Sequence, residues 1–316
     1  MTIDRTATAS ATATALAPAC IGNVAVGFDL LGHAIEGLAD RVTARRVDKP
    51  GVRIVSIAGV ATELPTEADD NTASRAVRSL LAARAPDAGI ELTIDKGIPL
   101  ASGLAGSAAS AVAAVVAANA LLDRPLAQRA LYRHALEGER VASGADCGDN
   151  VGPQLLGGLV LAAGDDLIRI PVPEGLTAVV VRPDMSIETR QTRAALEAPF
   201  DLGLITAAQA NLARVLAGCY ANDLGLIRKG LEDVLVEPRR AGLIPGFEAV
   251  KQTALDHQAL GASLSGSGPS IFAWFASAPE AHRAAPAMVK AFEQANLAAT
   301  ALISPVDAPG ARLEPD

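Results

Sequence analysis

At 316 residues the chain is long for one compact core and comfortable for two domains. Its net charge of −8, with no basic run, excludes nucleic acid as the expected partner but not a nucleotide, which needs only local positive charge. Half of the residues are hydrophobic, much of that alanine, and only 3% are aromatic, so Val, Leu, Ile and Ala must build the core.

Residues 1–15 form a Thr/Ala-rich leader without the apolar core of a signal peptide. Residues 39–44 and 51–58 carry β-branched side chains at alternating positions and predict strands. A helix is expected over 71–84, capped by Asn71 or Thr72, with Ala76, Leu80 and Leu81 on one face. A strand over 90–95 leads into a Gly, Ala and Ser loop at 99–110, which opens an uncharged Ala/Val-rich helix over 111–122. Ser107, Ser110, Asn119 and the many alanines make 105–122 too weakly hydrophobic for a membrane span, and a buried helix is expected there.

A second helix is read over 126–143, then a strand pair at 157–163 and 167–172 with a turn at 164–165. A strand at 177–181 precedes helices over 205–217, 223–236 and 247–257, a strand at 270–275 and a helix over 278–295. The pattern is α+β and lacks the steady alternation of a doubly wound sheet. The domain boundary is expected within 164–174.

Cys20, Cys147 and Cys219 are odd in number and form no C-x-x-C pair, which suggests neither a zinc site nor a disulfide framework and fits a reducing cytoplasm. His33, His134, His257 and His282 have no metal-ligand spacing and are expected to be incidental. The S-G-S-G-P run at 265–269 lacks the first glycine of the hydrolase nucleophile turn, so acyl transfer is a weak reading.

The 99–110 segment, P-L-A-S-G-L-A-G-S-A-A-S, combines small residues, which let a backbone approach a ligand, with a helix start that offers unpaired N–H groups. That combination suits phosphate. It is neither a P-loop nor a dinucleotide fingerprint, and taken alone it reads equally well as a loop before a buried helix. Two further small-residue loops stand at 17–32, A-P-A-C-I-G-N-V-A-V-G-F-D-L-L-G, and at 261–274, G-A-S-L-S-G-S-G-P-S-I-F-A-W. In this order the three resemble the motifs of the GHMP small-molecule kinases, and of their homoserine kinase branch in particular. Segments 144–153, 236–246 and 310–313 extend the resemblance over nearly the whole chain.

The resemblance implies a ribosomal S5-like N-terminal domain over 1–168, a ferredoxin-like C-terminal domain over 169–316, and an active site between them. It implies ATP held by Pro99, Leu100, Ala101, Ser102, Gly103, Leu104, Ala105, Gly106, Ser107, Ala108 and Ala109, with Mg2+ on Ser107 and Glu139. L-homoserine is expected to meet Asn23, Asp29, Cys147, Asn150, Arg193 and Arg240, with Asn150, Thr189 and Arg193 taking part in catalysis. A homodimer and feedback binding of threonine are further family expectations, as is in-line transfer without a dedicated general base.

The residue types suit those roles. Phosphoryl transfer asks for positioning and charge neutralisation more than for covalent chemistry. Magnesium takes hard oxygen ligands. An amino acid needs both an anion, for which Asp29 is the candidate, and a guanidinium fork for its carboxylate. Ser107 also reads as an ordinary N-cap, and Glu139 as a solvated helix charge. Three positions depart from the family pattern: Ala105 stands for a glycine, Gly106 for a serine, and Cys147 for a histidine. Two rival readings stay open: a kinase for another small acceptor, and a silent relative that binds ligand without turnover.

Overall fold

In the computed structural model, residues 12–187, 192 and 194–315 are described. β1 (Thr12–Gly22), β2 (Leu31–Val47), β4 (Gly89–Lys96) and β3 (Gly51–Gly59) lie side by side in one sheet. β5 (Leu159–Ala163) pairs with the start of β2 and carries β6 (Asp166–Ile170) beside it. β2 is 17 residues long and serves two neighbours in succession: Leu31–His33 pair with β5, and residues 41–47 pair with β4. Between them residues 36–38 have no partner on β1, since Pro18 faces Ala39 and Ala19 faces Ile35. An interruption of this kind bends a strand and re-aims the residues beyond it.

The second sheet has the order β10 (Ala299–Pro305), β7 (Thr177–Pro183), β9 (Ile271–Phe275), β8 (Gly261–Leu264), all antiparallel. β7, β8 and β9 are buried on both faces, as strands covered on both sides are, whereas the edge strand β10 is only partly covered. Val179, Val181, Ile271, Ala273 and Phe275 pack with helices α8 (Phe247–Asp256) and α9 (Ala278–Gln294). The alternate residues Ala178, Val180, Phe272 and Trp274 join the core of the first sheet. The period of two therefore divides one strand between two cores.

Helices α1 (Thr72–Arg84), α2 (Gly106–Ala120), α3 (Tyr132–Ser143) and α4 (Gly148–Leu156) belong to the first half. Twelve of the fifteen α2 residues are buried, which is why the segment reads as apolar without a periodic face. Asn71 caps α1 as expected, accepting from Ala73 N at 3.0 Å. α5 (Leu202–Ala221), α6 (Leu224–Gly230) and the short α7 (Glu237–Arg240) follow β7. Among the described helices α5 alone has the length and apolar composition to cross a membrane, and it packs against α6 through its buried Val215, Gly218 and Cys219.

Several expectations need correction. Residues 12–22, the described end of the leader and the start of the first loop segment, are strand β1, whose Ala, Thr, Pro and Cys residues hide the alternation because its inner half is fully buried. β2 is far longer than 39–44. Helix α2 begins at Gly106, inside the expected loop. Helix α4 is new, masked in the sequence by Gly148, Gly152 and Pro153. The expected helix over 223–236 ends at Gly230, and Asp233 then accepts from Leu235 N, Val236 N and Glu237 N to start α7. β10 is also new. β6 straddles the expected boundary at 168, and β11 (Arg312–Leu313) returns to pair with β1 in the first sheet. His33 is buried between the sheets and accepts a hydrogen bond from Trp274 Nε1 at 3.1 Å.

Candidate active site

Three loops converge where the two sheets meet: 23–30 between β1 and β2, 97–105 between β4 and α2, and 265–270 between β8 and β9. Backbone and small polar side chains lace them together. Gly266 N donates to Gly22 O at 3.1 Å, and Asn23 Nδ2 donates to Gly266 O at 3.0 Å. Ser265 Oγ donates to Gly103 O and Ser270 Oγ to Ser102 O, each at 2.7 Å. Gly103 has φ +76°, and a Cβ there would come within 2.5 Å of Ser265 O, so close approach and backbone conformation both demand glycine. The loops border a cavity of about 590 Å³.

One wall is the 99–107 loop and the first turn of α2. Pro99 through Ser107 line the cavity, whereas Ala108 and Ala109 lie fully buried inside α2 and are not on its wall. The N-cap position of α2 is Ala105, with φ +57° and no side-chain bond to the helix. Ser107 is therefore not the N-cap; it sits in the first turn, where its Oγ donates to Glu139 Oε1 at 3.0 Å. A buried network underlies this turn. Lys96 Nζ donates to Asp40 Oδ2, to Gly106 O at 2.6 Å and to Ser110 Oγ at 2.8 Å. Asp40 Oδ1 accepts from Gly97 N and Ile98 N, each at 3.1 Å. The pair thus holds both the entry and the exit of the loop.

Two buried carboxylates face the cavity. Glu139, on α3, keeps Oε2 without a partner, and burial pushes its carboxyl up to about 7 despite the Ser107 bond. Asp149, in the first turn of α4, accepts from Asn23 N at 3.1 Å through Oδ2 and keeps Oδ1 unpartnered. Burial first, and then the charge of Asp29, pushes it up to about 7. Orphaned buried oxygens on perturbed carboxylates mark a site that expects a ligand. The backbone around Asp149 is packed too closely for side chains: a Cβ on Gly32 would come within 1.8 Å of Asp149 O.

The opposite wall carries the groups suited to an amino acid. Asn23, at φ +68°, accepts from Asp29 N at 2.9 Å through Oδ1, which fixes Asp29 at the exposed lip of the cavity. Asn150 projects from α4 onto the same wall. Arg240, only 5% exposed, comes from α7 and donates through Nε to Thr192 O at 3.0 Å and through Nη1 to Gly266 O at 3.4 Å. Its guanidinium lies 5.8 Å from the centroid of the Phe28 ring. Thr189 and Arg193 lie outside the described residues. Asp149, Lys96 and Asp40 are additions: only the place of Asp149 beside Asn150 in the 144–153 segment hinted at any of them.

Comparison with known proteins settles the family. A model of the GHMP kinases N terminal domain matches residues 71–158, and one of the GHMP kinases C terminal region matches residues 215–294. The chain belongs to the GHMP kinases. It is 56% identical over 301 residues to the homoserine kinase of Xanthomonas campestris pv. campestris (strain B100), covering 95% of this chain and 94% of that one. The homoserine kinase of Xylella fastidiosa (strain M12) is 52% identical, with 98% and 96% covered. The crystal structure of homoserine kinase from Cytophaga hutchinsonii ATCC 33406 superposes with a TM-score of 0.93 at 40% identity, covering 96% and 98%.

The expected two-domain α+β GHMP kinase fold is thus the observed one. The departures from the family pattern acquire physical content in this GHMP kinase. Ala105 occupies the left-handed region that favours glycine, so its methyl group carries a conformational cost of about 1 kcal/mol. Burial, and next the Asp149 charge, push the Cys147 thiol up to about 12, so it meets the cavity as a neutral group and not as a nucleophile.

Proposed function

We propose that this kinase transfers the γ-phosphate of ATP to the side-chain hydroxyl of L-homoserine, giving O-phospho-L-homoserine for threonine synthesis in the cytoplasm. The observation that carries this is the arrangement of one cavity: the α2 N-terminus with the Ser107–Glu139 pair on one wall, and Asp29, Asn150 and Arg240 around the other. The names of the close relatives agree with it.

The 99–107 loop holds the triphosphate against the open N–H groups of α2, where small residues let the backbone approach. Ser107 and Glu139 hold Mg2+; the hydroxyl and the unpartnered, buried Oε2 form the hard oxygen set that this ion takes. When bound, the ion neutralises charge on the transferred phosphoryl group. Arg240 engages the α-carboxylate of the amino acid, and Asp29 with Asn23 its ammonium. Asn150 orients the accepting hydroxyl for in-line attack, and Thr189 and Arg193 act on the same acceptor by their place in the sequence motif. The hydroxyl proton leaves to the phosphate itself. L-threonine carries the same ammonium and carboxylate, and competes for these grips.

The test is ADP release with Mg-ATP in the presence of L-homoserine, L-threonine, L-serine or mevalonate, beside an Arg240→Ala control. Turnover with homoserine, lost in the control, supports the assignment. ATP binding without turnover on any acceptor sinks it.

A further inference from the structure

The interface between the sheets contains a buried side-chain bond that phosphoryl transfer does not use. Trp274 Nε1 donates to His33 Nε2 at 3.1 Å, and both residues have no exposed surface. Because Nε2 accepts, the ring proton sits on Nδ1, 2.9 Å from Ala34 O. The rings are 5.6 Å apart between centroids and tilted by 57°. Phe272 meets the indole edge-on at 6.4 Å, which holds the donor in place.

The positions of the two residues matter more than the bond itself. His33 sits on β2 opposite Ile21 of β1 and Leu159 of β5, and Trp274 sits on β9 between Ala178 of β7 and Gly261 of β8. Each lies in the middle of its sheet. Each also lies just past a site loop: His33 is three residues beyond the 23–30 loop, and Trp274 four beyond the 265–270 loop. At the cavity the same two loops are already joined, through Gly266 N to Gly22 O and Asn23 Nδ2 to Gly266 O. The inner faces of the two sheets share one apolar core, which is non-directional; the His33–Trp274 bond adds a directional contact within it, behind the attachments at the cavity. Glu36 N, which donates to Ser304 Oγ at 2.9 Å, extends the line of attachments along β2.

We propose that His33 and Trp274 are a positioning pair that sets the angle between the two sheets, and so the separation between the ammonium grip in the 23–30 loop of the first half and the carboxylate grip at Arg240 on α7 of the second. This rests on the amino-acid substrate proposed above. That substrate spans both halves, whereas the loop that holds ATP, together with Ser107 and Glu139, springs from the first half alone. Among the described residues the 99–107 loop is hydrogen-bonded to the second half only through backbone carbonyls that accept from Ser265 and Ser270, so loosening the angle penalises the amino acid more than ATP. Burial pushes the His33 imidazole down to about 4, so the ring remains a neutral acceptor across the working pH range.

Trp274 is the single tryptophan, so the one indole N–H resonance reports the bond directly. In His33→Leu that resonance is expected to shift, with KM for L-homoserine rising by about fivefold or more while KM for ATP stays within about twofold. His33→Gln, which keeps an acceptor, should restore both. If His33→Leu does not fold, His33→Ala, which also lacks an acceptor and keeps the indole of Trp274, is set against His33→Gln for the same comparison. Unchanged KM values in a folded variant whose indole resonance has shifted, or equal rises for both substrates, would overturn the proposal. Lack of homoserine-dependent turnover in the unaltered protein would instead overturn the proposed function, and is seen before any variant is made.

Discussion

Ser107 Oγ and Glu139 Oε1, 32 positions apart, are 3.0 Å apart in space, and this bond leaves Oε2 as the carboxylate oxygen without a donor. The side chain is thereby oriented before any ion arrives. Glu139→Gln preserves the Ser107 bond and removes the charge. A loss of about 10²-fold or more in kcat is expected, with the fold intact. Steady-state kinetics across a magnesium titration, beside a thermal melt, check both halves of that statement.

Asp149 gives a stability signature. Its folded-state value of about 7 lies above the ordinary 3.8, so the folded protein holds the proton more tightly than the unfolded chain. The associated stabilisation is full below the ordinary value and is lost as pH rises through about 7. Between those limits Asp149→Asn should gain on the unaltered protein by about 4 kcal/mol, and the difference should level off above. Urea unfolding of the ligand-free proteins at stepped pH measures it. A difference that stays flat with pH would remove Asp149 from the account.

The 99–107 loop contains a pair of opposite expectations. Ala105→Gly relieves a left-handed alanine and should stabilise by up to about 1 kcal/mol. Gly103→Ala places a methyl against Ser265 O and Gly268 O, within 2.7 Å of both, and should cost several-fold more along with activity. Chemical denaturation and ATP-dependent turnover rank the two.

Lys96 and Asp40 are at most 2% exposed, and neither has water to fall back on. Lys96→Met alone leaves a buried carboxylate without its cation and should destabilise by about 3–5 kcal/mol. Combining it with Asp40→Asn should recover part of that loss while KM for ATP stays raised, because the loop ends at Gly97 and Gly106 lose their common anchor. A double-mutant cycle in denaturant gives the coupling.

The three loops were legible in the sequence because small residues and glycine are a local mark, even where, as at Gly103, part of what demands them is a distant backbone such as Ser265 O. Helix α1, its Asn71 cap and the strands β3 and β4 were legible for the same reason. Helix α4 was not, since Gly148, Gly152 and Pro153 argue against the helix that packing imposes. Long-range polar pairs were the least visible. Lys96 meets Asp40 across 56 positions, and His33 meets Trp274 across 241, so their burial is decided by sheet order and not by local pattern. Asp149 stood in the 144–153 motif, but which member of its Asp-Asn pair is buried depends on how α4 seats against β1 and β2.

The carbonyl of Gly266 accepts from Asn23 Nδ2 and from Arg240 Nη1. One backbone oxygen therefore references both ends of the acceptor site. Side chains can be exchanged one at a time, but a main-chain atom cannot, so a substitution at either grip leaves this shared reference point in place. Acceptors of a different length would be reached by remodelling the 265–270 loop as a whole. In this scaffold, chemistry at the phosphate end and acceptor size at the other end are thus free to drift at very different rates.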